Sequence, residues 1–339
     1  MFLSEYDYHL PEELIAQAPL PERSSARMLV VNRAAGTWED GLFRDLPQYL
    51  GPGDCLALND TRVFPSRLFG VKIGLDRQIE LFLLKPESAD RKRWSALVRP
   101  GRHVHVGARI YITPRLSAEV LEARERGERS LEFTCSGDLD AEIDACGHIP
   151  LPPYIRRKDE PSDRERYQTV YADQRGSVAA PTAGLHFTPE ILARCVAAGA
   201  NVARVTLHVG LGTFQPLPED AVSANRLHSE HYEMSSEAAE ALAAAQRRVA
   251  VGTTSVRTLE TAAARGGWAA QCGETDIFIY PGYQFRAVDA MVTNFHLPKS
   301  SLILLVSAFG GKDLMLAAYR HAVEQRYRFF SYGDCMLII

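Results

Sequence analysis

VGTTSVRTLE, at residues 251–260, decides the fold, because an apolar strand end runs through a glycine and three hydroxyl residues into a helix. Glycine permits a tight turn, and hydroxyl side chains are typical of helix N-termini. Two other apolar runs, at residues 275–283 and 293–298, also end in polar or turn-forming residues. Because ligand sites of α/β proteins lie at strand ends, these runs predict an α/β sheet with a site along one edge.

Helix starts and buried strands continue this pattern. Thr188-Pro189-Glu190 combines a hydroxyl N-cap, a proline and an early acid, and therefore predicts a helix that ends at Gly199. Continuous apolar runs predict strands covered on both faces of a sheet. The other predicted helices are residues 11–18, 235–247, 256–264 and 312–327, with a turn at 174–176. The predicted strands are residues 29–32, 55–59, 177–180, 202–209, 249–251, 277–280 and 302–307.

Period-two alternation distinguishes the middle of the chain from both ends. Six short alternating segments follow one another between turns rich in glycine, aspartate or proline. This spacing predicts a small antiparallel β-barrel at residues 66–146. The barrel is expected to be inserted into a larger α/β catalytic domain made of residues 1–65 and 147–339. The six predicted strands are residues 68–73, 78–84, 94–98, 108–112, 118–122 and 130–134.

Composition excludes several classes of protein. The 339 residues contain no run of about 18 apolar side chains, so no membrane span is expected. Charges within the first five residues are not typical of a signal peptide. The six cysteines are scattered without a C-x-x-C pair, which argues against a disulfide framework or a zinc knuckle and for a cytoplasmic protein.

Basic residues are clustered although the formal net charge is −4. Residues 85–109 hold seven Arg or Lys side chains against two acidic ones, and further clusters lie at residues 156–158 and at Arg23 and Arg27. A solvated surface is one explanation. A track for an RNA backbone is the other, because phosphate contacts supply most non-specific affinity.

The hydroxyl run Thr253-Thr254-Ser255 predicts an anion site, because a helix N-terminus favours a phosphate or a carboxylate. A plain helix cap without a ligand is the alternative. The run lacks the G-x-x-x-x-G-K-[ST] spacing of a P-loop.

A second glycine-containing run, HVGLGTFQP at residues 208–216, follows a predicted strand. Gly210 and Gly212 permit a ligand to approach the backbone closely. A Rossmann fingerprint would need a third glycine where Gln215 stands, so dinucleotide binding is not expected. An ordinary glycine turn is the alternative.

Two histidine-containing runs are candidates for proton transfer. His186 lies between Leu185 and Phe187, and apolar surroundings lower a histidine pKa and leave the ring as a base. A hydrogen-bonded core histidine is the alternative. Asn294 and His296 precede a proline, and an asparagine can contact a base or ribose edge; a simple loop cap is the alternative there.

Two polar runs have weaker predictions. Asp60 and Arg62 lie at the predicted domain junction, where a salt bridge and a ligand contact are equally open. His228, Glu230 and His231 are residue types that bind metals, but the H-E-x-x-H spacing is absent, so no metal site is predicted.

Eleven runs, spread from one end of the chain to the other, carry a family resemblance. They are LPEELIAQAPLPER (10–23), NDTRV (59–63), VRPG (98–101), GHIPLPPYI (147–155), RYQTVYA (166–172), APTAGLHFT (180–188), TLHVGLGTFQP (206–216), VGTTSVRTLE (251–260), FIYPGY (278–283), TNFHLPKSSL (293–302) and YRFFSYGD (327–334). With these runs the chain closely resembles the S-adenosylmethionine:tRNA ribosyltransferase-isomerases of queuosine biosynthesis.

The resemblance implies a reaction and its partners. The ribosyl part of S-adenosylmethionine is transferred and isomerised onto 7-aminomethyl-7-deazaguanine at the wobble position of tRNA, giving epoxyqueuosine-tRNA, while adenine and methionine leave. S-adenosylmethionine is then a ribosyl donor, and neither a recycled cofactor nor a metal is required. The expected partners are S-adenosylmethionine and tRNA with a queuosine-type wobble precursor. The resemblance also implies an α/β/α layered domain and a β-barrel domain. Separately, we expect the protein to be cytoplasmic and monomeric.

This chemistry needs a base for the proton on the carbon beside the sulfonium, and a site that excludes water. His186 or His208 is the expected base, followed by His228 and His296. The turn at residues 253–255 should hold the methionine carboxylate or an RNA phosphate. The residues expected to bind substrates are Asn59, Asp60, Arg62, Thr182, Gly184, Gly210, Gly212, Thr213, Glu230, Thr253, Thr254, Ser255, Arg257 and Asn294.

Two positions depart from the family pattern. Asn225 and His231 stand where the family usually has histidine and tryptophan, so no catalytic role is expected for either, whereas His228 and Glu230 fit. Two other functions remain as alternatives. A conventional S-adenosylmethionine methyltransferase would usually show a glycine-rich loop after its first strand. A non-catalytic tRNA-binding protein would explain the basic clusters but not the histidines at strand ends.

Overall fold

The residues described in the computed structural model are 1–75, 77–210, 212, 217–218 and 220–339, without the side chain of Arg126. The strands are β1 (Arg27–Asn32), β2 (Thr37–Leu42), β3 (Asp54–Asn59), β4 (Thr61–Val63), β5 (Arg67–Gly70), β6 (Ile79–Pro86), β7 (Arg93–Arg99), β8 (Arg109–Thr113), β9 (Leu116–Ala123), β10 (Glu128–Cys135), β11 (Gln174–Ser177), β12 (Asn201–Leu207), β13 (Glu230–Met234), β14 (Arg247–Val251), β15 (Gln271–Thr275), β16 (Ala290–Asn294) and β17 (Cys335–Ile338). The helices are α1 (Leu139–Cys146), α2 (Asp163–Arg166), α3 (Pro189–Ala197), α4 (Ser236–Ala244), α5 (Thr253–Arg265), α6 (Ser301–Gly310) and α7 (Lys312–Glu324).

Four parallel strands form the centre of a large mixed sheet. Its order, within the described residues, is β15-β13-β12-β3-β14-β16-β17-β1-β2. The central strands β12, β3, β14 and β16 are parallel. Every residue of β3 and of β16 is buried, as expected for strands covered on both faces. Because the four strands run the same way, their carboxyl ends lie along one edge of the sheet.

Helices cover both faces of this sheet. Successive side chains of a strand point to opposite faces. Leu29 and Val31 of β1 belong to the core that also contains α4 to α7. Met28 and Val30 belong to a second core with α3 and the 3₁₀ segment Phe43–Tyr49. The α/β/α layering implied by the resemblance is therefore confirmed.

Strands β5 to β10 form a separate antiparallel sheet, in the order β5-β6-β7-β10-β9-β8. A bridge between Val71 and Tyr111 links its two outer strands and nearly closes it into a barrel. Gly70 permits this approach, because a Cβ there would lie 2.6 Å from Ile110 Cγ2 and 2.8 Å from the Tyr111 carbonyl oxygen. The inserted antiparallel barrel and its six strands are confirmed, although the strand predicted at residues 68–73 ends at Gly70.

Residues 302–307 form part of α6 and not the predicted strand. The helix begins after Ser300, whose hydroxyl accepts a hydrogen bond of 3.3 Å from the Ile303 N–H. A continuous apolar run has no period that distinguishes a buried helix from a buried strand. Within the described chain, no single helix has the length and apolar composition to cross a membrane, and α6 and α7, which reach them together, are bent by 117°.

Four shorter predictions are also wrong. Residues 277–280 are irregular, and β15 ends before them. Residues 11–18 contain the 3₁₀ turn Glu12–Leu14 in place of an α-helix. Residues 174–176 belong to β11 instead of a turn, because they pair with β4, and the strand expected at 177–180 overlaps β11 at its first residue. Strands β2, β4, β13, β15, β16 and β17 were not predicted.

Candidate active site

A cavity of about 490 Å³ lies over the carboxyl edge of the parallel strands. The ends of two strands border it. Strand β14 is followed by Gly252, whose φ of +87° is rarely adopted by residues with a side chain, and β16 ends at Asn294. The turn after β14 and the segment after β16 therefore supply most of its polar wall. The polar residues that line it are Thr182, Asp220, Thr253, Thr254, Thr293, Asn294, His296, Lys299, Ser300, Ser301 and Ser331.

His296 is the histidine in the wall of this cavity. Its Nε2 lies 2.8 Å from Thr293 Oγ1. The backbone N–H of His296 donates to the Tyr319 hydroxyl at 3.1 Å, and its backbone carbonyl accepts from the Tyr8 hydroxyl. Burial lowers the pKa of His296 to about 3, so the ring is neutral at physiological pH. A neutral, well-fixed imidazole can accept a proton.

Asn294 joins this wall to His186. Its Nδ2 lies 3.3 Å from His186 Nε2 and donates to the Phe330 carbonyl at 3.0 Å. Burial, and then the charges of Arg23 and Arg328, lower the pKa of His186 to about 4. His186 lines a smaller crevice beside Arg23 and not the large cavity. It is therefore placed to hold Asn294.

A narrow crevice of about 30 Å³ adjoins the cavity and shares Thr253, Thr254, Ser301 and Leu302 with it. A buried ion pair between Arg257 and Glu230 forms part of its wall. The other Glu230 carboxylate oxygen accepts from the Gly210 N–H at 2.8 Å. His228 also lines the crevice, beside Gly212, where a Cβ would lie 2.5 Å from His228 Cδ2.

His208 belongs to a second cluster on the same edge, where β12 ends. Its Nδ1 lies 2.8 Å from Thr61 Oγ1. Burial, followed by the nearby His231 and Arg91, lowers the pKa of His208 to about 4. The rings of His208 and His231 stack with centroids 6.2 Å apart. Within the described part of the chain, His208 lines neither the cavity nor the adjoining crevice.

Asn59 and Asp60 tie β3 to β12. Asn59 donates to the Leu207 carbonyl and accepts from the Leu207 N–H, both at 3.0 Å. Asp60 accepts from Thr206 Oγ1 at 2.7 Å, and burial raises its pKa. Arg62 is exposed. These three residues adjoin Thr61, the partner of His208, in the sequence, and none of them lines the cavity.

The remaining predicted residues divide into three groups. Ser255 is fully buried and donates to the Val251 carbonyl at 2.8 Å, away from the cavity. Gly184 packs against Tyr171 and Thr169, where a side chain would not fit. Thr213 lies outside the described residues. The structure thus brings Thr182, Thr253, Thr254, Asn294 and His296 together around the cavity, with Glu230, Arg257, His228 and Gly212 beside it.

The sequence did not reveal several residues of the wall. Tyr154 lines the cavity and packs against Phe330 with ring centroids 4.3 Å apart, and its hydroxyl lies 2.5 Å from Ser331 Oγ. Lys299 lies at the lining with its ammonium 2.6 Å from Asp7 Oδ2. In the sequence, the signal that could have pointed to these two residues is their place in the family runs at 147–155 and 293–302. Over the described chain, no group of three or more His, Cys, Asp or Glu residues could hold a metal.

Comparisons with known proteins cover the whole chain. The family described as queuosine biosynthesis protein matches residues 3–338. The S-adenosylmethionine:tRNA ribosyltransferase-isomerases of Solibacter usitatus and Heliobacterium modesticaldum are 61% and 50% identical, each over 100% of both chains. The crystal structure of an S-adenosylmethionine tRNA ribosyltransferase from Thermotoga maritima is 39% identical, with a TM-score of 0.57 over 99% of this chain and 100% of that one.

Proposed function

Because this chain belongs to the queuosine biosynthesis protein family, we propose the residues with which it acts as an S-adenosylmethionine:tRNA ribosyltransferase-isomerase. The enzyme transfers the ribosyl part of S-adenosylmethionine to tRNA and isomerises it. The acceptor that we propose is 7-aminomethyl-7-deazaguanine at the wobble position, with epoxyqueuosine-tRNA, adenine and methionine as products. The observation that carries the residue assignment is the cavity that contains a buried, neutral His296.

The cavity is the proposed site for the adenosyl part of S-adenosylmethionine. Its volume of about 490 Å³ lies in the usual range for small-molecule sites. Tyr154, Phe295 and Phe330 supply aromatic surface along it. Within the described chain, Asn294 Oδ1 is buried without a hydrogen-bond partner, and a carbonyl oxygen can accept from an exocyclic amine such as that of adenine.

His296 is the proposed base for the carbon beside the sulfonium. Desolvation keeps the ring unprotonated and ready to accept a proton. As the proton moves, negative charge develops on the carbon, and this charge stabilises the adjacent imidazolium in a site that excludes water. His228, in the adjoining crevice, is the next candidate. His186 positions Asn294, and His208 has its partner at Thr61.

The test follows free adenine and the mass of the modified nucleoside after incubation with S-adenosylmethionine and tRNA bearing the aminomethyl precursor. We expect adenine release together with the mass gain of an epoxycyclopentanediol group. Methyl-labelled S-adenosylmethionine would leave label on the RNA only if the protein were a methyltransferase. A pure binding protein would consume no S-adenosylmethionine.

The His296→Gln variant tests the base. We expect its single-turnover rate of adenine release to fall about 100-fold or more, as is typical when a general base is lost. His321→Gln is the matched control, because His321 pairs with Asp40 on another part of the surface. An unchanged rate for His296→Gln, with a large loss for His186→Gln, would contradict the assignment.

The domain division, cellular location and oligomeric state are also proposed. Residues 66–146 form the inserted barrel domain, and residues 1–65 and 147–339 the catalytic domain; the pairing of β5 to β10 with one another supports this division. The protein is proposed to be a cytoplasmic monomer, and all six cysteines are free. Light scattering should give a mass near that of one chain, 37.6 kDa. A dimer mass would contradict the monomer.

A further inference from the structure

One edge of the Arg257 guanidinium, formed by Nε and Nη2, has no hydrogen-bond partner among the described residues. The side chain is 6% exposed and lines the crevice beside the large cavity. Its Nη1 donates to Glu230. Among the described residues, neither Nε nor Nη2 has a hydrogen-bond partner, and both atoms are buried. A buried guanidinium with two unpaired donors is costly, so a ligand group at this edge would stabilise it.

The geometry of this edge selects the kind of ligand. Nε and Nη2 point their hydrogens along one side of the planar guanidinium, and such a fork matches the two oxygens of a carboxylate or phosphate. A second unpaired group lies beside it, because Thr254 Oγ1 is buried without a partner in the described chain. Both residues belong to the first turns of the 13-residue helix α5, which has no side-chain cap and favours an anion.

We propose that Arg257 and Thr254 bind the α-carboxylate of the methionine half of S-adenosylmethionine. The proposal rests on the proposed function and assigns the amino-acid end of that substrate to the crevice. The crevice adjoins the cavity through Thr253, Thr254, Ser301 and Leu302, so one ligand spans both. The neighbouring opposite charges of Arg257 and Glu230 match the zwitterion of an amino acid.

An RNA phosphate is the other anion with the same chemistry, and the structure disfavours it. The crevice holds about 30 Å³, roughly twice the room that one water needs. A terminal carboxylate can enter such a space, whereas a phosphate of an RNA chain continues into a ribose on both sides. Arg257, at 6% exposure, also lies deeper than the surface residues that usually contact a nucleic-acid backbone.

The test compares two unreactive ligands that differ in this carboxylate alone, S-adenosylhomocysteine and S-adenosyl-3-thiopropylamine. Both are measured by equilibrium dialysis with saturating substrate tRNA, in the wild type and in Arg257→Lys. Lysine keeps the charge beside Glu230 but loses the fork. We expect the wild type to bind S-adenosylhomocysteine about 10- to 100-fold more tightly than the amine, and the variant to lose about 10-fold or more of affinity for S-adenosylhomocysteine alone.

Two further variants keep the result interpretable. Arg265→Lys makes the same change at the exposed end of α5 and should bind both ligands as the wild type does. Thr254→Val removes one hydroxyl at nearly constant volume and should also weaken only the carboxylate-bearing ligand.

Equal losses for the two ligands, or none, in Arg257→Lys would overturn the carboxylate subsite. A higher KM for tRNA with unchanged affinity for S-adenosylhomocysteine would assign Arg257 to an RNA phosphate and overturn it as well. A wild-type protein that releases no adenine from S-adenosylmethionine would instead contradict the proposed function, independently of these affinities.

Discussion

At the scale of single residues, Thr293 determines how His296 is presented to the cavity. Its hydroxyl lies 2.8 Å from His296 Nε2, and both residues are buried. We expect Thr293→Val to lower kcat about 5- to 10-fold, the effect of losing one neutral hydrogen bond, with little change in KM for S-adenosylmethionine. Thr293→Ser keeps the hydroxyl and should restore most of the rate. Equal losses in both variants would show that shape, and not the hydroxyl, matters at this position.

Three histidines with lowered pKa values should make stability depend on pH. Burial lowers the pKa of His186 and His208 to about 4 and that of His296 to about 3. The unfolded chain, with histidine pKa values near 6.5, binds more protons than the folded protein between about pH 6.5 and 4. Their contribution to stability is therefore complete above about pH 6.5 and is lost as the pH falls through this window.

Urea unfolding measured from about pH 7.5 to about pH 5 checks this dependence. The midpoint should fall with pH, and it should fall less steeply in His296→Gln, which removes one of the three rings. His105→Gln, at an exposed barrel position, is the control and should keep the wild-type slope. A wild-type midpoint that does not change over this range would contradict the buried neutral state.

The sequence predicted which residue types meet at the site but not which histidine faces the cavity. Thr253, Asn294 and His296 follow strands, and parallel strands bring such positions to one edge. The direction of each ring depends on distant neighbours. His208 faces Thr61, 147 residues away, over Gly176, where a Cβ would lie 2.7 Å from the ring. Nothing local to residue 208 contains that information.

At the scale of elements, one buried carboxylate anchors the irregular segment that continues from residues 277–280, where a strand was expected. Glu260 of α5 is fully buried and accepts from the N–H groups of Arg286, Ala287 and Val288 and from the Tyr283 hydroxyl. The bonded residues belong to the irregular segment between β15 and β16. Ile277, Phe278 and Ile279 of the same segment line the crevice. The period of an apolar run does not reveal such a partner, so the pattern favoured a strand.

Replacing Glu260 with glutamine should weaken both the loop and the crevice. The amide would present its NH₂ to backbone N–H groups and leave buried donors unpaired, so we expect a loss of about 2–4 kcal/mol in unfolding free energy. Affinity for S-adenosylhomocysteine should fall with it. Chemical denaturation and equilibrium dialysis measure the two effects. Glu240→Gln, at an exposed position of α4, is the control, and a Glu260 variant as stable as this control would contradict the role of the carboxylate.

At the scale of the whole molecule, a cleft of about 190 Å³ separates the barrel from the large domain. Arg99 of the barrel faces residues 150–153 across it, and the neighbouring Tyr154 lines the active cavity. Among the described ion pairs, Arg99 has no partner. We therefore expect it to bind an RNA phosphate.

We expect Arg99→Ala to raise the KM for tRNA and to reduce the slope of log KM against log salt by about 1. The KM for S-adenosylmethionine should not change. Arg109→Ala is the matched control, because Arg109 is already paired with Glu119 at 2.8 Å on the barrel surface. Equal effects of the two substitutions on tRNA would exclude the cleft as the contact that matters.

The global arrangement was partly predictable. Alternation in the barrel and continuous apolar runs in the large sheet follow directly from burial on one or both faces, so the insertion of one domain into the other could be foreseen. The strand order could not. β17 lies between β16 and β1, and its pairing joins residues near 290 and near 30, which no local pattern links.

That strand order has a consequence for the time at which the protein can mature during translation. The backbone N–H of Arg27 binds the side chain of Asp334, a residue made 307 positions later. At about 5–20 residues per second, translation takes about 15–60 s before β1 can meet β17, the strand that joins it to β16. The barrel has all its strands long before then. During that interval the nascent chain contains every strand of the barrel, while β1 lacks its parallel partner β17 and leaves one side of its backbone unpaired, an edge that favours aggregation.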